Sequence, residues 1–151
     1  MTIASKACQC LLRIFPGWEV CATDSVGNSG GLLCIWNPSS CDFFSYSSPA
    51  DILLDGRLKG FEERVRLINC YGPYRDKEEF WKLIDDCGLL REKNLILGGD
   101  LNFTLSSSEV WGSQCADPLS PFLSTMFHNV VLVDICPMSL EPTWRNGRVD
   151  G

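Results

Sequence analysis

Histidine is almost absent: His128 is the single one in 151 residues. Chemistry that rests on paired imidazoles, and metal sites built mainly from histidine, are therefore excluded. Cysteine is plentiful but not at metal-ligand spacing. The nine cysteines stand at 8, 10, 21, 34, 41, 70, 87, 115 and 136, and no Cys-x-x-Cys pair occurs among them. Their number is odd and their spacing irregular. Most read as small apolar fillers in a reducing compartment. A basic excess is also missing: 13 Lys and Arg face 19 Asp and Glu, a formal net charge of −6. This argues against a module that holds nucleic acid by phosphate attraction alone. An acidic domain still acts on phosphates where a divalent cation supplies the positive charge. No apolar run approaches the ~20 residues needed to span a bilayer, and the first ten residues lack a signal-peptide core. The expectation is a soluble intracellular protein with no membrane partner. Internal repeats, low-complexity tracts, a G-x-G-x-x-G fingerprint and a phosphate-binding P-loop are all missing too.

What is present suits one globular domain. The hydrophobic fraction of 45% is ordinary and allows a core. Ile3, Ala7, Cys10, Leu11 and Ile14 recur at helical spacing, which predicts a helix over 2–14 stopped by Pro16-Gly17. Short strands follow at 18–23, 32–36, 41–47, 51–59 and 64–71. Gly27 to Gly31 make a turn between the first two, and Gly56 weakens the strand over 51–59. Arg64 and Arg66 alternate with Val65 and Leu67, the period of a half-buried strand. These strands read as an antiparallel meander. Asp76 with Glu79 resembles a capping pair and opens a helix with Phe80, Ile84 and Cys87 on one face and Gly88 near its end. Asn94 to Leu97, apolar after its first residue, suits a strand covered on both faces. Ser120-Pro121 opens another helix, with Phe122, Met126 and Leu119 toward the core. Val130 to Val133 is a further apolar stretch, read as the strand after this helix, and Thr143-Trp144 begins another strand. The order argues for an α/β or α+β fold of layered sheets with outer helices.

Two segments carry candidate chemistry. In Gly98-Gly99-Asp100-Leu101-Asn102 a covered strand ends in two glycines and then presents a carboxylate and an amide. In extended chain, residues i and i+2 face the same way, so Asp100 and Asn102 would meet at a common spot. A carboxylate suits a hard cation with oxygen ligands. An amide holds a phosphate oxygen or a water without adding negative charge. The bland alternative is an ordinary Asp/Asn turn after a strand. In Asn69-Cys70-Tyr71-Gly72-Pro73 a second strand runs to a Gly-Pro turn, and Tyr71 at its end could donate to a phosphate. Its bland alternative is a packed aromatic with its hydroxyl at the rim.

Taken in order, Asn-x-Tyr-Gly-Pro, a helix, a short strand and Gly-Asp-x-Asn resemble the endonuclease/exonuclease/phosphatase superfamily. Ser29-Gly30-Gly31-Leu32-Leu33 with Trp36, and Pro142-Thr143-Trp144-Arg145-Asn146-Gly147, resemble its branch from non-LTR (LINE-type) retrotransposons. The resemblance runs from about residue 2 onward. It implies a DNase I-like sandwich of two mostly antiparallel sheets with outer helices, and one partial domain over 1–151. It also implies a metal-dependent phosphodiesterase of DNA endonuclease type, using magnesium or manganese in the complete domain. Asp100 would orient or activate the attacking water, Asn102 would steady the phosphate, and Tyr71 would match the active-site tyrosine. DNA would be the partner of the full-length parent, with nuclear localisation if it acts there.

The family's N-terminal Asn, its metal-binding Glu and its C-terminal Asp-His pair have no counterpart here. No metal ligand is therefore assigned, and the fragment is expected to be inactive, marginally stable and prone to aggregate. Asp150 in Arg148-Val149-Asp150 imitates the family's Arg-x-Asp motif, but glycine follows it instead of a strand. His128 does not replace the family's histidine; it reads as a residue at a helix C-terminus. Two other functions fit parts of the pattern: a non-catalytic interaction protein reusing the scaffold, and a small-substrate phosphatase of the same superfamily.

Overall fold

The computed structural model describes residues 2–25, 31–109 and 117–135. It divides into a unit over residues 1–102 and a unit over residues 103–151.

The first unit opens with α1, Ile3–Ile14. Thr2 caps it by accepting from the Ser5 amide at 3.2 Å. The carboxylate of Asp24, beyond the first strand, accepts from the Ala4 amide at 2.8 Å. That bond, first among several, holds the Asp24 pKa below the ordinary aspartate value. Next come β1 (Glu19–Thr23) and β2 (Leu32–Trp36). They form an antiparallel hairpin in which Cys21 faces Cys34 across the strands.

A four-stranded sheet follows, in the order β3 (Cys41–Ser47), β4 (Asp51–Leu58), β5 (Arg64–Tyr71), β6 (Leu95–Asp100). The first three are an antiparallel meander, as expected. β6 runs parallel to β5, which requires a crossover; α2 (Lys77–Asp86) and a short 3-10 turn at Leu89–Arg91 lie within it. Hairpin and sheet share a core. Leu32 and Trp36 from the hairpin pack with Cys41, Phe43, Ile52 and Leu54, and Leu67 and Tyr71 of β5 lie against them.

The other face of β4 and β5 carries ion pairs. Arg64 grips Asp55 with two bonds, Nε to Oδ1 at 2.5 Å and Nη2 to Oδ2 at 3.0 Å. Arg66 reaches the same carboxylate at 3.4 Å and also pairs with Glu92. Burial opposes the charge on Asp55, but the two guanidiniums outweigh it and hold its pKa below the usual range.

In the second unit the described residues include α3, Ser120–Asn129, with proline in its first turn and His128 in its last. Leu123 and Met126 are buried, and Phe122 is half-buried. Among the described residues no helix is long and apolar enough to cross a membrane.

Several expectations need correction. Gly56 does not weaken β4. A side chain there would collide with the backbone of Asp42 and Phe43 on β3, so the strand pairing requires glycine. Asp76 does not cap α2. It sits in the left-handed region (φ 54°) and its side chain makes no capping bond. The buried residue of α2 is Trp81, while Phe80 and Ile84 are half-buried and Cys87 is exposed. β6 is not covered on both faces: it is the end strand of its sheet among the described residues, and Ile96 is 54% exposed. Residues 130–133 form no strand. Val131 takes φ 59° in a turn, and Val131 and Val133 are exposed. Ser29, Gly30, Thr143, Trp144 and Asp150 lie outside the described residues.

Candidate active site

β5 and β6 finish side by side, and their last registered pair is Tyr71 with Asp100. Paired residues of neighbouring strands project to the same face, so phenol and carboxylate emerge together. The Tyr71 amide is fixed by the Ala50 carbonyl at 2.8 Å. Immediately beyond, the Gly72 amide donates to the Asp100 carbonyl at 2.8 Å, extending the ladder by one bond.

Two glycines make this approach possible. A side chain at Gly72 would strike the Leu101 carbonyl, and one at Gly99 would strike the backbone of Cys70. Gly99 also has φ 123°, a conformation that L side chains rarely adopt.

Asn102 reaches the site by a route the sequence does not announce. The strand ends at Asp100, and Asn102 turns into the left-handed region at φ 55°. The i, i+2 alternation of extended chain therefore does not apply to it. Instead the Asn102 amide N–H donates to Asp100 Oδ1 at 3.3 Å. Its side-chain Nδ2 donates to the Gly72 carbonyl. One of the two Nδ2 hydrogens is thus used in holding the turn, and the other is left for a further acceptor. Asparagine tolerates this backbone conformation better than most residues.

Tyr74 belongs to the same cluster, and sequence reasoning missed it. Its ring lies edge-on to that of Tyr71, centroids 6.3 Å apart at 77°. A hydrogen bond with Tyr71, the neighbouring phenol's charge and the charge of Asp100 together raise the Tyr74 pKa above its ordinary value. The only signal was its place two residues after the Gly72-Pro73 turn begins. Asn69, two residues before Tyr71, opens the Asn-x-Tyr-Gly-Pro motif, but the motif alone gave it no role. Its Nδ2 donates to the Leu33 carbonyl at 3.2 Å and contacts Cys34 Sγ at 3.6 Å. It ties the hairpin to the sheet behind the site.

No protein-family model matches the chain, and comparison with curated proteins gives no match. Among solved structures, the endonuclease domain of TRAS1, a telomere-specific non-LTR retrotransposon, is similar with a TM-score of 0.56 and 20% identity. The match covers 78% of this chain and 54% of that one. The fold is DNase I-like. The likeness bears out the fold expected from the ordered motifs, and the chain spans about half the length of the solved domain it matches.

In this DNase I-like fold, the ends of β5 and β6 gather one exposed carboxylate, one amide and two phenols. The carboxylate accepts hydrogen bonds and the others donate. That set can orient a water and hold an anionic oxygen beside it. It does not by itself make a metal site. Among the described residues, no three His, Cys, Asp or Glu side chains converge where an ion could be held.

Proposed function

We propose that this chain is part of a DNA endonuclease domain of non-LTR retrotransposon type, and that residues 1–151 belong to that one domain. The observation that carries the reading is the pairing of Tyr71 with Asp100 at adjoining strand ends, with Asn102 bonded to Asp100 and to Gly72 just past β5. The likeness of fold to a solved retrotransposon endonuclease domain supports it.

In this reading Asp100 accepts a proton from, or orients, the water that attacks the phosphodiester. Asn102 steadies a non-bridging phosphate oxygen with its remaining amide hydrogen. Tyr71 donates its hydroxyl to the same phosphate. Magnesium or manganese serves the complete domain, and the acidic chain needs such a cation to approach DNA. In this reading the 151-residue chain on its own is inactive. Acting on DNA would place the parent protein in the nucleus.

Plasmid nicking in magnesium tests this, run on the chain and on a version extended at both ends. The extended protein should convert supercoiled to open-circular DNA and the 151-residue chain should not. Nicking by the short chain that survives Asp100→Ala would overturn the reading.

A further inference from the structure

The β1–β2 hairpin places two thiols directly opposite each other. Cys21 and Cys34 are registered partners on antiparallel strands, so their side chains leave the same face. Opposed residues in such a pair have Cα atoms roughly 4.5 or 5.5 Å apart, depending on the hydrogen-bonding pattern. Both values lie within the ~4.4–6.8 Å that a disulfide spans. Both cysteines are reduced and half-buried, packed against the core shared with the sheet. No other pair of the described cysteines is matched across strands in register.

We propose that Cys21 and Cys34 form a reversible cross-strand disulfide, a redox modification site whose co-reactant is a small-molecule disulfide such as oxidised glutathione. One cysteine thiolate attacks a glutathione sulfur, giving a mixed disulfide and releasing one glutathione thiolate. The second cysteine thiolate then attacks the protein sulfur of that mixed disulfide. The Cys21–Cys34 bond forms and the second glutathione leaves as its thiolate. Two cysteine thiols are oxidised, one glutathione disulfide is reduced, and the two protons pass to the released thiolates.

The bond would not be isolated from the rest of the fold. Asn69 Nδ2 contacts Cys34 Sγ at 3.6 Å, and this contact would change when the sulfur is bonded to Cys21. Asn69 pairs with Gly98, and its Oδ1 lies 2.9 Å from where a side chain on Gly99 would begin. The thiol pair is thus one contact from the segment that ends in Asp100. Burial raises the Cys34 pKa, while the Asn69 contact works in the other direction. Exchange should therefore be slow at neutral pH and faster as pH rises.

The test is peptide mapping by mass spectrometry of the native 151-residue chain. The chain is incubated with oxidised glutathione, alkylated and digested without reduction. The expected product is a linked peptide carrying Cys21 and Cys34, reversed by dithiothreitol, together with an upward shift of the thermal midpoint. In Cys34→Ser, Cys21 should stop at the mixed disulfide with glutathione. Wild-type NMR adds a readout that needs no variant: the side-chain amide resonances of Asn69 should move on oxidation. The proposal fails if native protein carries glutathione separately on Cys21 and Cys34. It also fails if either pairs with a different cysteine, or if the link appears only in denaturant.

Discussion

At Gly99 the backbone takes φ 123°, and the space beyond its Cα is filled by the backbone of Cys70. Gly99→Ala therefore adds a strained dihedral and a collision with a main chain that cannot swing aside. The dihedral alone should cost about 1–3 kcal/mol, read as a lower urea midpoint, and the collision adds to it. A variant as stable as the parent would show that β6 does not approach β5 in this way. Tyr71 is tested through its neighbour. Tyr74 has a raised pKa chiefly because it is hydrogen-bonded to Tyr71, so Tyr71→Phe should bring the Tyr74 pKa back down. Absorbance titration of the phenols would show it. A raised folded pKa contributes stability that is present below the unfolded tyrosine pKa of about 10 and is lost as pH rises through the folded value. The Tyr71→Phe protein should accordingly lose less stability in alkali. An unshifted Tyr74 in the variant would separate the two rings. At this scale the sequence was a partial guide. Asp100, Asn102 and Tyr71 were legible as residue types after strand ends. The left-handed turn at Asn102 and the partner role of Tyr74 were not, because each depends on which backbone lies opposite.

At the scale of elements, the strands were read well because alternation and turn residues are local signals. The spans 41–47 and 64–71 agree with β3 and β5. The parallel joining of β6 to β5 and the need for glycine at 56 are long-range facts that no local pattern encodes. The Asp55 cluster makes an element-scale prediction, because Arg64 and Arg66 bind the nearly buried carboxylate of β4 from the neighbouring strand. Its lowered pKa means the stabilisation is fully present above the ordinary aspartate value of about 3.9 and is lost as pH falls through the lowered folded value. Asp55→Asn should flatten the fall in urea midpoint on acidification from about pH 5 to about pH 2. A fall as steep as the parent's would assign that acid sensitivity elsewhere. β6 makes a second. Among the described residues it ends its sheet, with Ile96 largely exposed, and an unprotected apolar edge invites association. Ile96→Lys should shift sedimentation velocity profiles from larger species toward monomer. A parent chain that is already monomeric and melts cooperatively would contradict the expectation of aggregation.

For the molecule as a whole, the ordered motifs conveyed more than any one of them. Asn-x-Tyr-Gly-Pro followed by Gly-Asp-x-Asn led to the DNase I-like architecture, and the solved endonuclease domain has that architecture at 20% identity. Sequence and fold agree here because both glycine-bearing motifs mark the places where β5 and β6 must come closest. No ion-binding cluster of His, Cys, Asp or Glu accompanies Asp100, Asn102 and Tyr71 among the described residues. The most direct measurement is the magnesium-dependent plasmid-nicking rate of the version extended at both ends, compared with its Asp100→Ala, Asn102→Ala and Tyr71→Phe variants. The account predicts that Asp100→Ala loses about 100-fold or more and that the other two variants also slow, with the fold retained. Undiminished nicking by Asp100→Ala would contradict it.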